Sequence, residues 1–318
     1  MNTVSRNYDE TIVTILGDSV GKGIYTDNGK LEVFPQNPAK VTADRFGIKI
    51  DNRSKYGQTL SRLTARGEEN SLIGGGDNGR KIAVIELGGN DADFDWKAVA
   101  ESPELDHSPK TDPVLFGELY RNLIIKLRAA GIDPIACTIL PVLSERYFDN
   151  VISRVADGER VMRFLGGDVN TIQRHQEVYN STIISVAREL DVPVIDIRTP
   201  FLWSRDAASL MCRDGVHPSE KGSALIAATV AEFVDFDVGM SLRDFRHSFG
   251  RADYRHELDI FAAAFFKLSD RVARAAAGSE HGIDQKDEFV FDIFGEFAVI
   301  FARFERFFVA VHTDMTDA

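Results

Sequence analysis

In Thr11-Ile12-Val13-Thr14-Ile15-Leu16-Gly17-Asp18-Ser19-Val20-Gly21 an apolar run breaks off at a glycine, an acid and a serine. Its β-branched and aliphatic residues form a run too short for a buried helix, and the run stops at a glycine. Such a run reads as a strand buried on both faces, the kind a parallel sheet is built from. Its abrupt end puts Ser19 where the chain breaks out of the sheet, at a strand's carboxyl end and close to the N–H groups of a helix start. A serine there is either a nucleophile or a helix cap, and this stretch alone leaves both readings open.

Four further runs share the character of the first: Ile48–Asn52, Ile82–Leu87, Pro134–Leu140 and Pro193–Ile197. Helical patterns fall at Ala39–Phe46, Val114–Ala130, Val169–Leu190 and Ser219–Phe236. The alternation predicts an α/β domain, a flavodoxin-like three-layer doubly wound parallel sheet, in which ligands bind beyond the carboxyl ends of the strands. A chain of 318 residues, 44% hydrophobic, suffices for one full-sized core and an appendage. The formal net charge of -12 argues against nucleic acid or an anionic membrane surface as partner, since both reward lysine and arginine. No transmembrane run is present, and Met1 to Glu10 lacks the basic start and apolar core of a signal peptide, so a cytoplasmic location is expected. Cys137 and Cys212 show no paired spacing and read as reduced core or near-core residues.

Chemistry gathers at the ends of these runs. Asp214-Gly215-Val216-His217-Pro218 sets an acid three residues before a histidine, ahead of a helix. Serine attack needs a base to take the hydroxyl proton, and a carboxylate that fixes the tautomer of that base. Asp-x-x-His holds both in one turn, while the bland alternative is a capping aspartate beside a surface histidine. The third strand ends in Leu87-Gly88-Gly89-Asn90-Asp91, and the second is followed by Ser54-Lys55-Tyr56-Gly57-Gln58-Thr59. Ester cleavage needs donors aimed at a developing oxyanion. The Ser19 N–H, the Gly57 N–H and the Asn90 amide stand at neighbouring strand ends where they can converge. Singly, Gly57 is a turn glycine and Asn90 a cap; together and in this order they form a set.

Gly17-Asp18-Ser19, Gly57, Gly88-x-Asn90-Asp91 and Asp214-x-x-His217 resemble the four sequence blocks of the SGNH (GDSL-like) hydrolase family. The resemblance implies ester hydrolysis without a metal or organic cofactor, with Ser19 as nucleophile and His217 as base. In that scheme Asp214 orients the histidine, and Ser19, Gly57 and Asn90 form the oxyanion hole. Phe94-Asp95-Trp96, His107-x-Pro109-Lys110-Thr111 and Leu165-Gly166-Gly167-Asp168-Val169 are further similar to a subgroup of small bacterial GDSL-type proteins, over roughly residues 10–235.

Three competing motifs fail on position. Gly17-x-Ser19-x-Gly21 fits a nucleophile elbow of α/β-hydrolases, but only one strand precedes it and the oxyanion loop of that fold comes from earlier strands. Gly74-x-Gly76-x-x-Gly79 precedes a strand instead of opening a helix, and Gly17 to Gly23 is one residue short of a phosphate loop. The remaining histidines, His107, His175, His247, His256, His281 and His312, show no ligand spacing, and only His107, in a loop after Asn90, stands near the site. Phe94, Trp96, His107, Pro141, Tyr147, Phe148 and Phe164 follow strand carboxyl ends; they line the substrate pocket or pack their loops.

Composition changes near residue 240, and the last 79 residues hold 13 of the 22 phenylalanines. Tyr254, Leu258, Phe261, Phe265, Leu268, Val272 and Ala275 follow heptad spacing. Val290, Phe294, Phe297, Phe301, Phe304, Phe308 and Val311 do the same. These seams predict a C-terminal α-helical hairpin over residues 239–318, following a catalytic domain over 1–238. A further stripe, Ile293, Ile300 and Phe307, points to a homodimer, with docking or a lid as alternatives. The expectation is a serine esterase for a small or medium acyl ester. Its rivals are an acyltransferase of the same fold and a non-catalytic scaffold working through the hairpin.

Overall fold

The computed structural model describes residues 11–27, 30–73 and 79–237. The expected hairpin, Gly74 and Gly76, and His247, His256, His281 and His312 lie outside the described residues.

Among the described residues, seven strands form two sheets. β1 (Ile12–Gly17), β4 (Lys49–Asn52), β5 (Lys81–Glu86), β6 (Ile132–Cys137) and β7 (Val194–Ile195) make one sheet in the order β4-β1-β5-β6-β7, all neighbours parallel. Within this sheet the chain order is 2-1-3-4-5, the flavodoxin-like winding. β1 lies second from the edge, with β4 on one side and all later strands of this sheet on the other. The strand reversal therefore falls at the carboxyl end of β1, where Ser19 stands.

Helices cover both faces. Leu60–Ala65, Pro113–Ala129 and Thr171–Glu189 pack on one side, burying Phe116, Tyr120, Leu123 and Ile183 against Leu16, Ala83 and Ile85. On the other, Pro38–Phe46 and Glu220–Asp237 pack together, and Ile226 joins Cys137, Ile195, Phe201 and Met211 in a separate core. Local chemistry sets the helix starts. Asn37 accepts the Lys40 N–H ahead of Pro38, and Asp112 accepts those of Val114 and Leu115 ahead of Pro113, with proline at the position that needs no N–H partner.

Two strands, β6 and β7, differ from the sequence expectation by more than one residue at an end. β6 begins at Ile132 and runs through Pro134, which the expectation took as its first residue. Pro134 faces the side on which β7 has not begun, since pairing there starts at Ala136, so its missing N–H breaks no ladder bond. β7 ends at Ile195 because the Asp196 carboxylate accepts the Arg198 and Thr199 N–H groups and turns the chain into the Arg198–Trp203 helix. The second sheet was not expected. β2 (Ile24–Asp27) and β3 (Lys30–Val33) form an antiparallel hairpin directly after Ser19.

Candidate active site

Each of three neighbouring strands delivers one element of the site: Ser19 follows β1, Gly57 follows β4 and Asn90 follows β5. All three line one cleft of about 1290 Å³ together with Asp214 and His217. Gly57 holds a left-handed backbone (φ 65°), which a side chain would strain.

Asp214 and His217 sit on a tight turn ahead of the Glu220–Asp237 helix. The Cys212 N–H donates to the His217 carbonyl and the Gly215 N–H to that of Cys212. Gly215 is left-handed (φ 74°), and a Cβ there would lie 2.6 Å from the Leu143 carbonyl oxygen. One Asp214 oxygen accepts the Val216 and His217 N–H groups, both at 3.0 Å. The other faces His217 Nδ1 at 2.8 Å and accepts the Thr26 hydroxyl from β2. Burial raises the Asp214 carboxyl, but the hydrogen bond and charge of His217 and the Thr26 hydroxyl outweigh it and hold the pKa down at about 2. An ionised carboxylate only accepts, so Nδ1 carries the proton and Nε2 is left as an acceptor. His217 Nε2 lies 3.0 Å from Ser19 Oγ. Ser19 and His217 are only 5% and 6% exposed, so this bond is shielded from competing water. Tyr56 stacks over the imidazole, ring centroids 6.3 Å apart.

Acidic groups beneath the serine organise the donors. Asp18 is buried; its Oδ1 accepts the Val20 N–H at 2.8 Å and its Oδ2 the Asn90 Nδ2 at 3.0 Å. Burial pushes the Asp18 carboxyl up to about 6 against the Val20 hydrogen bond and the His217 charge, and Asp91 adds to the rise. Asp91, fully buried, takes the Leu60 N–H on both oxygens at 3.0 Å and the Thr111 hydroxyl at 2.5 Å. It thereby ties the Asn90 loop to the helix that follows Gly57. Among the described residues no group of three or more His, Cys, Asp and Glu side chains is arranged to hold a metal ion.

The sequence profile of the GDSL-like lipase/acylhydrolase family matches residues 15–225, a span that runs from β1 into the last described helix. The chain belongs to this family. This GDSL-type acylhydrolase is therefore an enzyme of the carboxylic ester hydrolase class. Curated proteins give no match. Among solved structures it is similar to the lipase/acylhydrolase from Enterococcus faecalis, at 19% identity over 70% of this chain and 95% of that one, with a TM-score of 0.49. A catalytic mutant of an acetylxylan esterase from Geobacillus stearothermophilus aligns at 16% identity over 73% and 97%, TM-score 0.49. A GDSL-like lipase from Bacteroides thetaiotaomicron aligns at 16% over 71% and 88%, TM-score 0.46.

Three of the aromatic residues singled out in the sequence stand along the acylhydrolase cleft. Phe94, Trp96 and Tyr147 line it. Asp93 holds the last two in place, accepting Trp96 Nε1 at 2.8 Å and the Tyr147 hydroxyl at 2.9 Å while pairing with Lys110 at 2.7 Å. His107, Pro141, Phe148 and Phe164 are corrections: they are not among the lining residues. Phe148 and Phe164 pack into the apolar cluster behind the wall, which holds Val99, Ile152 and Val161. His107 sets its ring against Phe164 and its Nε2 2.9 Å from the Ser102 carbonyl, and Pro141 is buried just past β6. His175 takes the place expected of His107. Read from sequence as a bland histidine, it lines the cleft beside Phe94, ring centroids 5.4 Å apart. Its Nδ1 is buried without a hydrogen-bond partner among the described residues, and burial lowers its pKa, with Arg174 adding to the fall. Helical phase was the available signal. Ile172, buried on the Thr171–Glu189 helix, and His175 lie three residues apart on one face.

Among the described residues no helix is long and apolar enough to cross a membrane.

Proposed function

We propose that this acylhydrolase is a serine esterase that cleaves a small or medium acyl ester through a covalent acyl-Ser19 intermediate. The observation that carries the reading is the unbroken chain Ser19 Oγ, His217 Nε2, His217 Nδ1, Asp214, at 3.0 and 2.8 Å. In the first half-reaction Nε2 takes the Ser19 proton as Oγ bonds to the ester carbonyl carbon. The carbonyl π pair moves onto oxygen, where the Ser19 and Gly57 N–H groups and the Asn90 amide receive the charge. Collapse re-forms the carbonyl and breaks the bond to the leaving alcohol, which takes the proton from Nε2. Water then attacks the acyl-serine with His217 again as base, releasing the acid and restoring Ser19. Asp214 stays ionised throughout, holding the tautomer and stabilising the imidazolium. Trp96, Tyr147 and Phe94 form the apolar wall against which an acyl or leaving group packs. Residues 239–318 complete the proposal as a helical hairpin that joins two cytoplasmic copies of the 1–238 catalytic domain.

A panel of p-nitrophenyl esters of graded acyl length tests this. kcat/KM should be highest for acetyl to medium chains. Absence of turnover across the panel, with the fold intact, contradicts the proposal.

A further inference from the structure

Glu86, the last residue of β5, has no part in the mechanism above, yet it is buried directly under the serine loop. Its Oε2 accepts the Asp18 N–H at 3.2 Å and the Gly21 N–H at 2.9 Å, so one side chain pins the backbone on both sides of Ser19. Contact is close enough to exclude side chains. A Cβ on Gly17 or Gly21 would lie 2.9 or 2.8 Å from the same oxygen, and 2.6 or 2.8 Å from Ser54 Oγ. Both carboxyls are buried and close enough to interact, the Asp18 charge raising that of Glu86, and Asp18 in turn holds the Asn90 amide at 3.0 Å.

Two buried carboxylates in contact repel, and removing both from water is costly unless one is neutral. We propose that Glu86 is a positioning residue for the esterase site, acting as the neutral acid and sharing one proton with Asp18. The pair then fixes the Ser19 loop and the Asn90 amide together while leaving a single negative charge beside them. Glu86 accepts two N–H groups on one oxygen and donates its proton to Asp18. The Asp18 carboxylate then has three donors: Val20 N–H, Asn90 N–H and the Glu86 hydroxyl.

The ionisable groups facing the pair support a neutral Glu86. Asp18 faces His217 and Asp91, and Glu86 faces Asp18, Tyr120 from the Pro113–Ala129 helix and Cys137 from β6. Of these only His217 can carry positive charge, and Asp214 already neutralises it. Burial drives the Glu86 carboxyl well above the ordinary range, and the Asp18 charge drives it further. A second negative charge here would oppose the oxyanion that Asn90 and the Ser19 N–H are placed to receive.

This inference rests on the proposed Ser19 mechanism, and the test separates the two. Infrared difference spectra of wild type against Glu86→Gln at pH 7.5 should show a protonated-carboxyl C=O band that the variant lacks. That readout is independent of whether Ser19 reacts. In turnover, Glu86→Gln keeps an acceptor for the two N–H groups and an N–H for Asp18, so it should lose less than about 5-fold in kcat. Glu86→Ala lets the loop shift and should lose about 10²-fold in kcat with little change in KM, the scale expected for a small misplacement of reacting groups. Wild-type kcat should also decline at alkaline pH as the pair gives up its proton. Glu86→Gln, with no such proton, should hold its rate to higher pH. Absence of the infrared band, or an alkaline limb identical in wild type and Glu86→Gln, overturns the shared proton. Equal losses in Glu86→Gln and Glu86→Ala overturn the positioning role. Should Glu86→Ala not fold, the infrared and pH comparisons still decide.

Discussion

Replacing Asp214 by asparagine changes one atom, and its effect can be worked out from the turn. Oδ1 accepts two backbone N–H groups at 3.0 Å, and an asparagine oxygen can keep both. The amide nitrogen must then stand where Oδ2 stood, against His217 Nδ1 at 2.8 Å. Two N–H donors face each other there, so the imidazole moves its proton to Nε2. At 3.0 Å from Ser19 Oγ, Nε2 would then donate to the serine it should deprotonate. Loss of the base through the wrong tautomer costs about 10⁴-fold in kcat in serine proteases, or about 5 kcal/mol of transition-state stabilisation. The same order is expected here, since among the described residues Asp214 is the partner of Nδ1. Steady-state hydrolysis of p-nitrophenyl acetate, with a thermal melt confirming the fold, measures it. A folded Asp214→Asn enzyme within 10-fold of wild type would falsify the role given to Asp214.

Asn90→Ala removes the side chain proposed as an oxyanion donor, which exchanges no proton, so kcat should fall by about 10²–10³ while the pH midpoint of kcat/KM stays put; a moved midpoint refutes the assignment. Asp214, held at about 2 in the fold against an ordinary 3.8, contributes stability that is complete above pH 3.8 and is lost as pH falls through about 2. Denaturant titrations should therefore show the advantage of wild type over Asp214→Asn shrinking across that window, and parallel curves contradict it. Light scattering should find the full chain dimeric or larger and a chain ending at residue 238 monomeric. A monomeric full chain rules out the hairpin dimer.

The sequence exposes those features that have a period or a place. Buried parallel strands read as apolar runs, so β1, β4 and β5 and the residues just beyond them were legible, and with them Ser19, Gly57 and Asn90. Asp214 and His217 were legible because three residues separate them on one turn. The β2–β3 hairpin was not, since its strands are four residues each and β3 is exposed along its length, so the short Lys30-Leu31-Glu32-Val33 alternation marks no buried face. Yet it brings Thr26 to Asp214 across 188 residues. The segments after β5 and β6 fold into short helices whose facing no sequence period announces, so position after a strand singled out Trp96 and Tyr147, which line the cleft, together with His107, Pro141, Phe148 and Phe164, which do not. Glu86 falls inside the Ile82–Leu87 run; the role proposed for it depends on burial beneath a loop from another strand, which no local pattern encodes.

In the proposed mechanism Ser19 carries the acyl group. Acid-quenching the enzyme during turnover of p-nitrophenyl acetate traps whatever covalent species has accumulated, and peptide mass mapping locates it. An acetyl group on the peptide containing Ser19, absent from Ser19→Ala and from His217→Ala, is the result predicted. An acetyl group on a different residue, or full turnover by Ser19→Ala, would contradict the account.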